Sequence, residues 1–202
     1  MPYVPLRHHS RSIRLRGYDY SQEGMYFVTI CTYERACVLG EITDGAMLLS
    51  DLGEIAKQCW NEIPGHFENV ELDEYVIVPN HVHGVIILRG NSGRDEVTSS
   101  LRNESGIESK QSIIKRIPTL GQVVAFFKYR STKLINMKGN SPGARFWQRN
   151  YYEHIIRDGN DLDRVRKYLS NNVGKWSEDK ENPENRLLQI SQPTPRLKKN
   201  IQ

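Results

Sequence analysis

The chain has 202 residues, 38% of them hydrophobic and 26% charged, with a net charge of +4. That length and apolar content suffice for a buried core and point to one domain with appendages rather than two full domains. No apolar run approaches membrane-spanning length, and the basic start with Arg7, Arg11, Arg14 and Arg16 lacks the apolar segment of a signal peptide, so a cytoplasmic protein is expected.

Residues 1–24 read as a basic arm that ends in a turn-rich stretch carrying Tyr18 and Tyr20. Residues 25–33 are a strand, since Tyr26, Phe27, Val28, Thr29 and Ile30 are the aromatic and β-branched types that suit a pleated sheet. Gly40 and Asp44-Gly45 mark turns, and a short strand at Met47-Leu48-Leu49 follows. Cys31, Cys37 and Cys59 are odd in number and lack Cys-x-x-Cys spacing, which argues against a disulfide framework or a zinc ribbon and leaves buried thiols as the expectation.

Ser50 or Asp51 can cap a helix running to residue 63, with Leu52, Ile55, Ala56, Cys59 and Trp60 on one stripe and Pro64-Gly65 ending it. A hairpin is expected over residues 70–88. Proline cannot take the positive φ of a type I′ turn, so Pro79-Asn80 predicts a longer or type I-based bend. Residues 89–119 are rich in Ser, Gly, Asn and charge and read as a flexible insertion.

Helical periodicity returns over residues 120–137, with Leu120, Val123, Val124, Phe127, Leu134 and Ile135 as the apolar stripe and cations facing outward. Residues 146–157 are aromatic, broadly alternating and read as a fourth strand. A last helix spans residues 161–172, with Asp161 and Asp163 well placed in its first turn. The segment 177–202, with Pro183, Pro193 and Pro195, reads as a poorly ordered tail. The order strand, helix, strand, strand, helix, strand predicts an α+β, ferredoxin-like split βαβ domain over residues 25–176 with an antiparallel sheet and an additional C-terminal helix.

Chemistry gathers at the second half of the hairpin. His81 and His83 are two apart on a strand, so both imidazoles project from one face at the edge of a buried region, spaced to share a metal ion. The alternative is one structural histidine and one at the surface. The last helix offers two more groups: Tyr168 and Asn172, four apart, lie together along the margin of the stripe Leu162, Val165 and Leu169. Tyr168 can serve as a nucleophile and the Asn172 carbonyl as a third metal ligand. Equally, Tyr168 can be an amphipathic helix residue with a wet hydroxyl and Asn172 a C-terminal cap. Tyr151 and Tyr152, adjacent on a strand and pointing to opposite faces, are rival nucleophiles without an accompanying amide.

Three separated blocks, Tyr-Val-Ile-Val-Pro-Asn-His-Val-His-Gly-Val (75–85), Phe-Trp-Gln-Arg-Asn-Tyr-Tyr-Glu-His-Ile-Ile-Arg (146–157) and the helix with Tyr168, resemble the HUH single-tyrosine transposases. More narrowly, together with Ile-Arg-Leu-Arg-Gly-Tyr-Asp-Tyr (13–20) and Tyr-Phe-Val-Thr-Ile-Cys-Thr (26–32), they resemble the REP-associated tyrosine transposases over residues 10–176. The resemblance matches His81 and His83 to the metal-binding pair, Tyr168 to the catalytic tyrosine and Asn172 to the polar ligand one turn later. It implies a divalent ion, Mg²⁺ or Mn²⁺, and attack of Tyr168 on single-stranded, hairpin-bearing DNA to leave a 5′-phosphotyrosine, by a monomer or a homodimer. The insertion and the tail match nothing in that pattern.

Arg14, Arg16, Lys128, Arg130, Arg149 and Arg157 are candidates for phosphate contacts, in keeping with basic clusters that suit an anionic polymer. His154 receives no ligand role and is expected to contact a neighbour or DNA; His8, His9 and His66 read as solvated. Two other functions fit the residues: a catalytically idle nucleic-acid-binding protein that uses its sheet, and a metal phosphodiesterase that uses water.

Overall fold

A computed structural model describes residues 17–90, 98–102, 108–112, 117–179 and 181–185. Strand β1 (Gly24–Cys31) and two later strands, β4 (Val70–Val78) and β5 (His81–Leu88), join β8 (Tyr152–Ile156) in a four-stranded sheet of order β4-β5-β1-β8. Every neighbouring pair is antiparallel, with Thr29 opposite His83 and Phe27 opposite His154. This is the expected ferredoxin-like arrangement, and it makes β1 and β5 the central strands.

Alternation along the strands sorts side chains between two faces. Tyr26, Val28 and Ile30 of β1 and Val82, Ile86 and Leu88 of β5 enter the larger core, together with Ala56, Cys59 and Trp60 of α1 (Asp51–Asn61) and Leu120, Val123, Val124 and Phe127 of α3 (Leu120–Lys138). Phe27, Val85, Ile87 and Ile156 face the other way, where Val165 and Leu169 of α4 (Gly159–Asn172) cover them. The additional helix therefore makes a third layer on the sheet face opposite α1 and α3. None of the helices among the described residues is long and apolar enough to cross a membrane.

The helix starts follow from capping chemistry. Ser50 Oγ accepts from Gly53 N, Thr119 and Gln122 form a capping box, and the Asp158 carboxylate accepts from Asp161 N. The first helix stops at Asn61 rather than 63, and a separate turn, α2 (Ile63–His66), follows it because Pro64 is tolerated in a first turn.

Several expectations need correction. The hairpin bend is not the longer of the two expected: Val78 pairs with His81, so Pro79-Asn80 is a two-residue link, and neither residue has positive φ, as the exclusion of a type I′ turn requires. The short strand β3 (Ala46–Leu49) pairs with β2 (Gly40–Thr43) across Asp44-Gly45, whose φ values of 53° and 74° suit the primed turns of tight hairpins. Within the segment read as a flexible insertion, β6 (Thr98–Arg102) pairs with β7 (Glu108–Ser112).

The fourth strand is shorter than residues 146–157. Trp147 makes only an isolated bridge to Thr32, and Lys128 holds the next loop by donating from Nζ to the carbonyls of Gln148, Arg149 and Asn150 at 2.9, 3.3 and 3.2 Å. Cys31 and Cys59 are buried as expected, but Cys37 is exposed. In the segment read as a tail, Glu181 accepts from Asn80 Nδ2 at the end of the sheet; residues 180 and 186–202, like residues 1–16 of the arm, lie outside the described residues.

Candidate active site

His81 and His83 stand on β5 with Val85 and Ile87, on the face that α4 only partly covers. Both are deeply buried, at 0% and 4% exposure. Their Nε2 atoms lie 2.8 Å apart. Two imidazole lone pairs cannot meet at that distance bare, so a proton or a cation must stand between them.

Asn80 decides which nitrogen of His81 is available. Its Nδ2 donates to the carbonyls of Arg35 (3.1 Å) and Glu181 (2.7 Å), which turns Oδ1 toward His81 Nδ1 at 2.8 Å. Nδ1 therefore carries the proton and Nε2 is left as the acceptor or ligand, the usual division of labour in a metal-binding histidine. The Asn80 carbonyl in turn accepts from Thr32 N and Thr32 Oγ1. Across the central strand pair, Thr29 Oγ1 holds His83 Nδ1 at 2.8 Å and so fixes that ring as well.

The tyrosine helix delivers Tyr168 to this pair. Its Oη lies 3.1 Å from His83 Nε2, and its ring meets Phe27 edge-on. Of the two rivals, Tyr151 packs against the larger core and Tyr152 sits on the Tyr168 side, edge-on to Phe27. Asn172, one turn after Tyr168, is buried, and its carbonyl oxygen has no hydrogen-bond partner among the described residues. An orphaned buried carbonyl is costly in a dry site and suits coordination to a cation.

Asp179 is the residue that the sequence did not single out. One of its carboxylate oxygens and ring nitrogens of His81 and His83 all lie within 4.8 Å of one another. The tail segment that carries it is held by the Asn80 bond to Glu181 and by an ion pair between Glu181 and Arg35. Two neutral imidazoles and a carboxylate make a donor set that fits a divalent ion, and the group His81, His83 and Asp179 is consistent with one.

Burial keeps both imidazoles neutral. It pushes His81 down to about 3, with Arg35 adding to the effect, and holds His83 well below its ordinary value, with His81 adding and Glu181 opposing. The Tyr168 phenol is pushed the other way, above its usual value, by burial and then by the Asp179 carboxylate; a bond with Asn172 opposes that, and Glu181 adds to it. In the absence of added positive charge the phenol is protonated at neutral pH.

A cleft of about 1070 Å³ opens from this point along the sheet, lined among others by Phe27, Thr29, His83, Tyr152, Tyr168 and Asp179. It is large enough to seat a nucleotide-sized group. His154 lines it too and bonds through Nε2 to Asp161 at 2.9 Å, which is the neighbour contact expected of it.

Of the candidate phosphate contacts, Arg14 and Arg16 lie outside the described residues. Lys128 does not face outward as expected: its amine is turned onto three loop carbonyls, and burial pulls it down to about 8. Arg130 is paired with Glu62 at 3.2 Å, while Arg149 and Arg157 are exposed. His66 is exposed as expected and stacks on Phe126.

No family model matches the chain. An uncharacterized protein of Haemophilus influenzae is 42% identical to it over 173 residues, which is 85% of this chain and 92% of that one. Among solved structures, that of a REP-associated tyrosine transposase bound to a REP hairpin has a TM-score of 0.52 with this chain at 16% identity, covering 84% of this chain and 76% of that one. At that identity the likeness speaks for the fold.

Proposed function

The chain belongs to one family with the Haemophilus influenzae protein and has the fold of the REP-associated tyrosine transposase, and on that premise we propose that it is a metal-dependent endonuclease and strand transferase of the HUH transposase type. Its substrate is single-stranded DNA that carries a hairpin, as the ligand of the structural neighbour suggests. The observation that carries this reading is Tyr168 Oη at 3.1 Å from an imidazole that is itself paired at 2.8 Å with a second one. A phenol with a wet hydroxyl and two unrelated histidines would have no reason to converge in this way.

In this reading His81 and His83 hold Mg²⁺ or Mn²⁺ through Nε2, with Asn172 Oδ1 and the Asp179 carboxylate as oxygen ligands. The ion, when bound, supplies positive charge that polarises a scissile phosphodiester and favours the phenolate. Tyr168 Oη forms a bond to phosphorus as the bond from phosphorus to the 3′ oxygen breaks. The phenol gives up its proton to water and the leaving 3′ oxygen takes one from water to depart as a free hydroxyl, while the 5′ phosphate stays on Tyr168. One ester bond replaces another, so rejoining needs no nucleotide cofactor. Thr29 and Asn80 keep the two rings oriented throughout. Phe27, at the floor of the site, packs against both His83 and Tyr168.

The test is incubation with labelled single-stranded hairpin DNA and Mn²⁺, followed by a denaturing gel. The proposal expects a shifted, denaturation-resistant protein–DNA band that requires the metal. Cleavage without such a band would point to a phosphodiesterase that uses water, and binding without cleavage to an idle nucleic-acid-binding protein.

A further inference from the structure

The tyrosine helix is tied to the sheet at two places outside its apolar stripe. In its first turn the Asp161 carboxylate accepts from His154 Nε2 at 2.9 Å and from Arg157 N at 3.3 Å, which fastens it to β8. Further along, Arg166 reaches β4, and its Nε and Nη2 donate to Asp73 Oδ1 and Oδ2 at 2.9 and 2.6 Å. A two-bond fork of this kind fixes direction as well as distance.

Asp73 can meet Arg166 because β4 is irregular there. Leu72 faces Ile86 and Tyr75 faces Gly84, so Asp73 and Glu74 together stand opposite Val85, where a regular strand would place one residue. The bulge adds a residue on the α4 side of the sheet and aims a carboxylate at the helix. The Asp73 carboxyl is lowered from its ordinary value, first by its bond to Arg166.

The pair is partly exposed, at 44% for the Arg166 side chain and 15% for that of Asp73, so its worth to folding is small. Geometry is another matter. Under α4 the apolar contact comes from Val165, Leu169, the partly buried Leu162 and the Tyr168 ring on Phe27, and burial of apolar surface is non-directional. A rotation of about 10° moves a group at a radius of about 6 Å from the helix axis by about 1 Å. A displacement of that size is enough to cost two orders of magnitude in rate.

We infer that Asp73 and Arg166 are positioning residues that set the rotation and height of the tyrosine helix and so place Tyr168 Oη against His83 Nε2. They touch neither metal nor DNA in this assignment, which rests on the reading of Tyr168 as the nucleophile. The experiment compares the full-length wild type with Asp73→Ala, Arg166→Ala and the double variant. Three quantities are measured: single-turnover adduct formation at saturating hairpin DNA with Mn²⁺, DNA affinity, and the ¹⁹F spectrum of 3-fluorotyrosine placed at position 168 of the DNA-free protein.

Each single variant is expected to lower the single-turnover rate about 10- to 100-fold. The double variant should be no worse than either single one, because the two residues act as a unit. DNA affinity should be unchanged and the melting temperature should move by no more than about 2–4 °C. The fluorine resonance should shift or broaden in all three variants. Wild-type rates with an unmoved resonance would overturn the assignment, as would additive losses that track a falling melting temperature. If the wild type itself forms no adduct, the nucleophile reading fails; the fluorine spectra still judge the clamp, and a resonance indifferent to both substitutions would sink it.

Discussion

Two neighbouring residues of β5 show how differently the two sheet faces are used. Gly84 points to the α1/α3 side, where a Cβ would lie 2.3 Å from Trp60 Cζ2, so the indole fills the space that a side chain would need. His83 points to the α4 side, where it touches Thr29, His81 and Tyr168 and borders an open cleft. One face is packed with apolar side chains to the point of excluding a methyl group. The other spends its burial on polar groups that need partners, and it leaves room for a substrate. Stability is concentrated on the first face and chemistry on the second, so substitutions on the two should have effects that separate.

The largest effect should come from the polar face. Replacing both His81 and His83 by Ala removes both nitrogen ligands of the His81, His83 and Asp179 group, and adduct formation with Mn²⁺ on hairpin DNA should fall below detection while circular dichroism stays that of a folded protein. Cleavage at the wild-type rate would dismiss these residues from the mechanism. On the packed face, Trp60→Ala empties the space over Gly84 and should cost about 3–5 kcal/mol in denaturant titration. Any surviving folded fraction should still form the adduct.

Acid sharpens the comparison further. His81, pushed down to about 3, and His83, also lowered, are neutral in the folded chain at a pH where the unfolded chain binds protons on both. Their contribution is therefore full above the unfolded-state value of about 6.5 and is lost as pH falls toward the folded values, at about 1.4 kcal/mol per pH unit for each. In chelator-containing buffer the wild type should lose stability steeply from pH 6.5 to 5, and a His81→Gln, His83→Gln double variant should show a shallower slope. Equal slopes would mean that the imidazoles are not buried as neutral rings. The smallest effect is expected for Tyr152→Phe, which should keep the adduct yield of the wild type on the same gel.

Much of the packed face is legible in the sequence. The stripe Leu120, Val123, Val124 and Phe127, the capping Ser50 and the aromatic and β-branched run along residues 25–33 are local signals, and local propensity agrees with the final fold. The pairing of His81 with His83 is legible for the same reason, since a period of two places them together. Asn80 is not, because beside Pro79 it reads as a turn residue, and its task of fixing the His81 ring arises only when Arg35 and Glu181 arrive from 45 and 101 residues away. Asp179 is hidden in a charged, proline-containing segment whose composition suggests looseness, and the chain turning back toward the sheet brings it beside the histidines. The bulge that aims Asp73 is equally silent, as residues 70–78 look like an ordinary strand.

The central claim is that the phenol beside the paired imidazoles is the group that becomes bonded to DNA. The most direct measurement is mass spectrometry of the protease-digested adduct formed with Mn²⁺ and single-stranded hairpin DNA, run beside Tyr168→Phe. The account predicts a nucleotide joined through its 5′ phosphate to the peptide containing Tyr168, and no adduct in the variant despite unchanged folding and DNA binding. A phosphonucleotide on Tyr151 or Tyr152, or an adduct that persists in Tyr168→Phe, would contradict it.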